Sequence, residues 1–168
     1  KANSGGALAN ATAGTDYVAP GTATTFTAKQ TLNGSSSVLA AVLANAAETV
    51  TISATAASST INYDVTTQSV LYYTTDASGN WTMNFRASSG TSLDSAMSTG
   101  QSVTVVFMAT NGSTAYYNNT VKVDGTTITP KYQGGIAWSY GTASGIDAYT
   151  YTIIKTGSAA FTILASQI

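Results

Sequence analysis

From Glu48 onward the chain alternates apolar and polar residues with a period of two. Val50, Ile52 and Ala54 interleave with Thr49, Thr51 and Ser53. Ile61, Tyr63 and Val65 interleave with Asn62, Asp64 and Thr66, and Trp81, Met83 and Phe85 with Thr82, Asn84 and Arg86. Successive side chains of a β-strand point to opposite faces, so each run reads as a strand with one buried and one solvated face. Val121 and Val123 repeat the pattern around Lys122. Ser69–Thr74 and Ser102–Met108 are more continuously apolar and read as central strands. Asn111-Gly112 and Asp124-Gly125 supply the positive φ angles of tight hairpins, and Asp76–Asn80 is a further turn. Thr156-Gly157-Ser158 is expected to join Tyr149–Lys155 to Ala160–Ala165 in a last hairpin, and Thr91–Thr99 to make one helical turn. Eight to ten closely spaced strands without long helices between them predict an all-β domain. The expected form is an antiparallel two-sheet β-sandwich, jelly-roll-like, over residues 47–168.

Residues 1–46 differ. They are rich in Gly, Ala, Thr, Ser and Asn, and their apolar residues are too sparse to build a core, so an extended arm or linker is expected. One short helix is expected within Ser37–Ala47, where Val38, Leu39, Val42 and Leu43 form a narrow apolar stripe. That stripe serves either as packing for a connector or as a contact between identical copies, and it is too short for a sustained coiled coil. Lys1–Gly6 has neither an initiator Met nor a signal-peptide pattern, so a processed chain or a piece of a longer one is expected.

Composition narrows the function classes. Only 8 % of the 168 residues are charged while 43 % are hydrophobic, so a core can form but solubility does not rest on charge repulsion. A net charge of −1 without a basic run argues against nucleic acid as a partner. No run of eighteen apolar residues occurs, so membrane insertion is not expected. Cys and His are both absent, which removes thiolate chemistry, the commonest metal ligands and the commonest general base. The seven acids, Asp16, Glu48, Asp64, Asp76, Asp94, Asp124 and Asp147, are scattered singly and read as turn or solvated residues rather than a catalytic pair. Asp76, Ser78 and Asn80 have part of a calcium-loop spacing, but the later bidentate acid is missing. No catalytic residue, metal ligand or cofactor is therefore assigned, and the chain is not expected to be an enzyme. The only arginine, Arg86, is expected to form one ion pair with an aspartate, the other reading being a contact across a subunit interface. Five Asn-x-Ser/Thr sequons, at Asn10, Asn33, Asn80, Asn111 and Asn118, matter only in a host that glycosylates secreted proteins.

Ten tyrosines and two tryptophans are a heavy aromatic load for so few charges. Tyr72-Tyr73 and the Trp81 strand are expected chiefly to fill the sandwich and its contacts, and Tyr116-Tyr117 is a candidate for either that role or an exposed cluster. The glycine-rich segment Lys131–Tyr140 stays open between two readings. Its Tyr132, Trp138 and Tyr140 either pack against the core or form an exposed cluster that stacks on sugar rings or anchors a partner.

The segments TINYDVTTQSVLYYTTDASGNWTMNFR (60–86), SSGTSLDSAMSTG (88–100), ATNGSTAYYNNTVKVDGTTITPKYQGG (109–135) and YTYTIIKTGSAAFTILASQ (149–167) resemble a C-terminal module of marine bacteriophage tail fibre and virion structural proteins. The resemblance is collinear over about residues 46–167, and ANATAGTDYVAPG (9–21) resembles a tail-fibre linker. It implies a place on the virion, homotrimer formation and display at a surface; the partners expected on that placement are other virion proteins and host cell-surface glycan. It transfers no functional residue. A capsid decoration or head-fibre protein, with residues 1–36 as an arm, is the alternative; a bacterial surface-layer or adhesin domain is a third reading that composition alone permits.

Overall fold

The computed structural model describes residues 41–42 and 44–168. The chain divides at Ala46/Ala47 into two units, and every element named below belongs to the second. In chain order these are β1 (Val50–Ala56), β2 (Ser59–Asp64), β3 (Val70–Thr75), β4 (Trp81–Arg86), α1 (Leu93–Ala96), β5 (Ser102–Thr110), β6 (Asn118–Val123), β7 (Thr126–Thr127), β8 (Lys131–Tyr132), β9 (Ile146–Gly157) and β10 (Ala160–Gln167). They form a six-stranded sheet in the order β1-β3-β5-β9-β10-β8 and a four-stranded sheet in the order β2-β4-β6-β7. The all-β, two-sheet architecture is as the alternation predicts.

The antiparallel, jelly-roll-like pairing is not. Strands β1, β3 and β5 pair in parallel, as do β2, β4 and β6, and β8 joins β10 in parallel. Antiparallel pairing is confined to β5–β9, β9–β10 and β6–β7. The cause lies in the connections. Residues 57–58, 65–69 and 76–80 carry the chain from one sheet to the other, and the next crossing brings it back beside its predecessor in the same direction. Parallel neighbours need a long crossover, and here a strand of the opposite sheet is that crossover. Asn111-Gly112 behaves likewise, leaving β5 for the other sheet instead of closing a hairpin. The Asp124-Gly125 hairpin does form, with φ of 49° and 82°, and joins β6 to β7. The last hairpin forms too, with Ala159 at φ 49° in its turn.

Between the sheets lies the core. Trp81 is fully buried against Phe107 and Tyr149, with ring centroids 5.7 and 5.6 Å apart, and Phe85 meets Tyr151 at 4.9 Å. These are edge-on contacts that satisfy the ring quadrupoles. Tyr73 joins them edge-on to Phe107, while Tyr72, one residue earlier, faces outward. Ser69–Thr74 and Ser102–Met108 are central strands, as their composition predicts.

Strand β1 departs from its own alternation. Val50 and Ile52 are expected inward, yet they are 49 % and 69 % exposed. The register with β3 decides this: Thr51 lies beside buried Leu71, and Ile52 beside outward Tyr72. The polar face of β1 is satisfied at the margin of the core, where Thr51 Oγ1 donates to the side-chain oxygen of buried Gln68 at 3.0 Å. A one-residue change of parity turns a whole strand over.

The expected helix within Ser37–Ala47 does not include Ala41, Val42 or Ala44–Ala47. Asn45 has φ 57°, a left-handed conformation that stops a helix. Val42 is 88 % exposed, and Val38, Leu39 and Leu43 lie outside the described residues. The helical turn expected within Thr91–Thr99 is α1. Asp124 carboxylate oxygens accept from the Leu93 and Asp94 amides at 2.7 and 2.9 Å and so hold its first turn.

Candidate functional site: an aromatic cleft

Strand β8 is short because Gly134 and Gly135, both at positive φ (70° and 76°), turn the chain out of it. Residues 136–145 then return to β9. This return places Tyr132, Trp138 and Tyr140 around one cleft of about 450 Å³, together with Gln133, Ile136, Thr142, Asp147 and Gln167. The three aromatics picked out in the sequence therefore share one wall, but they do different things. Trp138 is half-buried, packed edge-on to Tyr132 (4.8 Å, 85°) and to Tyr149 (5.2 Å, 69°). Its Nε1 donates to the Asn118 carbonyl oxygen. Tyr132 is half-buried too, whereas Tyr140 is 74 % exposed and its carbonyl accepts from Gln167 Nε2 at 3.0 Å. Trp138 is thus the anchor of the wall and Tyr140 its free face.

Two buried asparagines support this wall; in the sequence Asn118 stood out only as a sequon, and Asn111 as a sequon and as half of an expected hairpin turn. Asn118 Nδ2 donates to the carbonyls of Trp81 (2.9 Å) and Thr120 (2.8 Å), and its Oδ1 accepts from Tyr151 Oη at 3.0 Å. Asn111 Nδ2 donates to Asp147 Oδ2 at 2.9 Å and to the Tyr116 carbonyl at 3.1 Å, while its Oδ1 accepts from the Tyr116 amide at 3.2 Å. Both side chains are all but inaccessible, so neither sequon is open to glycosylation in the folded chain.

Asp147 is not the solvated turn residue that its sequence context suggests. It is 1 % exposed; Oδ2 also accepts from the Thr142 amide at 2.9 Å, and Oδ1 has no hydrogen-bond partner. Parity could have found it. Asp147, Tyr149, Tyr151, Ile153 and Lys155 alternate along β9, and all are buried. Burial pushes the phenols of Tyr132, Tyr149 and Tyr151 up, and the Asp147 charge raises Tyr149 further. These hydroxyls stay protonated at neutral pH and serve as neutral hydrogen-bonding groups.

The remaining acids with side-chain partners are spoken for elsewhere. Asp64 takes the expected ion pair with Arg86 at 2.5 Å, and Asp94 pairs with Lys155 at 2.8 Å. Asp76, Ser78 and Asn80 lie in the β3–β4 crossing, where Asn80 Oδ1 accepts from the Tyr117 amide at 3.0 Å. Among the described residues no three acidic, His or Cys side chains gather as metal ligands do, and no helix is long and apolar enough to cross a membrane.

Fold and cleft together define a two-sheet all-β domain in which the β8–β9 connection builds an aromatic recess lined with hydroxyl and amide groups. Searched against protein-family models, curated proteins and solved structures, the chain finds no match in any of the three.

Proposed function

We propose that this chain is a structural module of a bacteriophage virion, a tail fibre or similar appendage on the particle surface, and that its aromatic cleft holds host cell-surface glycan. The carrying observation is that Tyr132, Trp138 and Tyr140 converge on one cleft beside neutral polar groups. Sugars offer a C–H face to aromatic rings and hydroxyls to amides and hydroxyls, and such a recess suits both. The resemblance of residues 46–167 to marine phage fibre modules, and the scarcity of charge, support the same reading. It is a binding role without catalysis: Asp64, Asp94 and Asp124 are engaged with Arg86, Lys155 and the start of α1.

Titration of the isolated protein with host cells or their surface polysaccharide tests the role. Tyr140→Ala is expected to weaken binding about tenfold, the loss typical of a central aromatic contact, while its exposed position leaves thermal stability unchanged. Absence of binding, or equal binding by the variant, overturns the reading.

Homotrimer formation and contact with other virion proteins belong to the same proposal. Their support is the outer face of the six-stranded sheet. There Val50, Val70 and Val106 stand side by side, as do Ile52, Tyr72 and Met108, and no charged residue interrupts them. Light scattering is expected to give a trimer mass. A monomer would favour the alternative, a capsid decoration or head-fibre protein whose outer face seats on a shell.

A further inference from the structure

We infer that the cleft selects uncharged sugars and turns acidic ones away; the inference rests on the glycan-binding reading above and names the class of glycan. Three observations carry it. First, among the described residues no lysine or arginine lines the cleft, so a carboxylate or sulfate entering it finds no cation there. Lys131 adjoins Tyr132 in β8 but is not on the lining, and Arg86 and Lys155 are committed to Asp64 and Asp94. Second, the one acidic side chain on the lining, Asp147, is almost wholly buried. Its partners are the neutral Asn111 amide and the Thr142 backbone amide, and one of its oxygens has none. A buried carboxylate without a counter-ion has nothing in the protein to neutralise it, so its field reaches into the adjoining solvent-filled recess and opposes a second negative charge. Third, the remaining polar lining consists of hydroxyls and amides: Gln133, Ser139, Thr142, Ser166 and Gln167. Those groups exchange hydrogen bonds with sugar hydroxyls and acetamido groups without needing charge.

An acidic sugar would therefore shed its hydration on entry and meet repulsion, while a neutral one of the same shape meets matched donors and acceptors and the open ring of Tyr140.

Calorimetric titration of the full chain with two oligosaccharides of equal length, one of neutral hexoses and one carrying uronic acids at matching positions, tests this. The neutral ligand is expected to bind at least about tenfold more tightly at low ionic strength, with the gap shrinking as salt rises. Gln133→Lys, which adds a cation at an exposed lining position, is expected to narrow the gap. Asp147→Asn should do the same, with its melting temperature recorded beside the binding data. Equal or tighter binding of the acidic ligand overturns the inference and leaves glycan attachment standing. So does a preference that neither salt nor Gln133→Lys alters, because it would be steric. Failure of both ligands, and of host polysaccharide, to bind overturns the attachment reading as well.

Discussion

Replacing Gly141 with alanine is the sharpest test of how the cleft loop is held. An ideal Cβ on Gly141 would collide with the Tyr116 carbonyl oxygen and lie 2.6 Å from Asp147 Oδ2 and 2.8 Å from Asn111 Nδ2. Real Cβ atoms essentially never approach anything within 3.0 Å. The first obstacle is backbone and the other two belong to buried, mutually bonded side chains, so no flexible tip can swing aside. The substitution must push the loop off Asp147 or break the Asn111–Asp147 bond. Hydrogen bonds to a charged group contribute about 1.5–3 kcal/mol each, and Asp147 accepts two. A loss of about 3–5 kcal/mol follows if both weaken, a large part of the ~5–15 kcal/mol expected of a domain. With a urea m-value of about 2 kcal/mol/M, the midpoint falls by roughly 2 M, read by the fluorescence of Trp81 and Trp138. The control is Gly79→Ala, whose Cβ would meet only Ser58 Cβ at 3.9 Å. It should stay within about 0.5 kcal/mol of the parent. A Gly141→Ala protein as stable as the Gly79→Ala control would refute the view that the loop is clamped through Asp147.

Asn118→Ala removes a side chain that serves the carbonyls of Trp81 and Thr120 and the fully buried Tyr151 hydroxyl. Leaving such groups unpaired is expected to cost about 2–4 kcal/mol in chemical denaturation, and to shift Trp138 fluorescence because the same residue's carbonyl holds the indole. Asp94 gives a pH signature. Hydrogen bonds, first from the Lys155 ammonium and then from the Ala159 amide, hold its carboxyl below the ordinary range. Its contribution is therefore full above the unfolded value of about 3.9 and is lost as pH falls through the lower folded value. Melting temperatures at pH 6 and pH 3 should differ more for the parent than for Asp94→Asn; an equal difference would remove Asp94 from the acid response.

Much of the architecture was legible because the two-residue period and the turn residues speak to strand count and to which face is buried. Sheet pairing was not legible, and for a physical reason. An alternating strand followed by Asp, Ser, Gly and Asn looks the same whether the chain folds back beside itself or crosses to the opposite sheet. Asp124-Gly125 does the first and Asp76–Asn80 the second. Only the register between distant strands separates the cases, and that same register sends Val50 and Ile52 outward against their own pattern.

The cleft was half legible. Large aromatics in a glycine-rich stretch without periodicity marked Tyr132, Trp138 and Tyr140, whereas Asn118 carried no mark beyond a sequon and Asn111 only a sequon and a turn signal, since their importance lies in partners far along the chain. Asp147 and Lys155 are the instructive pair. Charges are scarce here, and these two fall on the buried parity of one strand, at its opposite ends. A charge in that position persists only where surrounding groups satisfy it. Lys155 is satisfied by Asp94 and by the Asp94 and Met97 carbonyls, which fasten α1 to the sheet. Asp147 is satisfied on one oxygen by Asn111 and Thr142, which fasten the cleft loop. Strand β9 thus works as a spine whose apolar middle belongs to the core and whose charged ends each tie down one insertion. The two ends differ in a single respect: Lys155 is fully partnered, and Asp147, a residue of the cleft lining, has one buried oxygen without a hydrogen-bond partner. That asymmetry separates an end that only stabilises from one that, on the proposed reading, also sets the electrostatics of the glycan cleft.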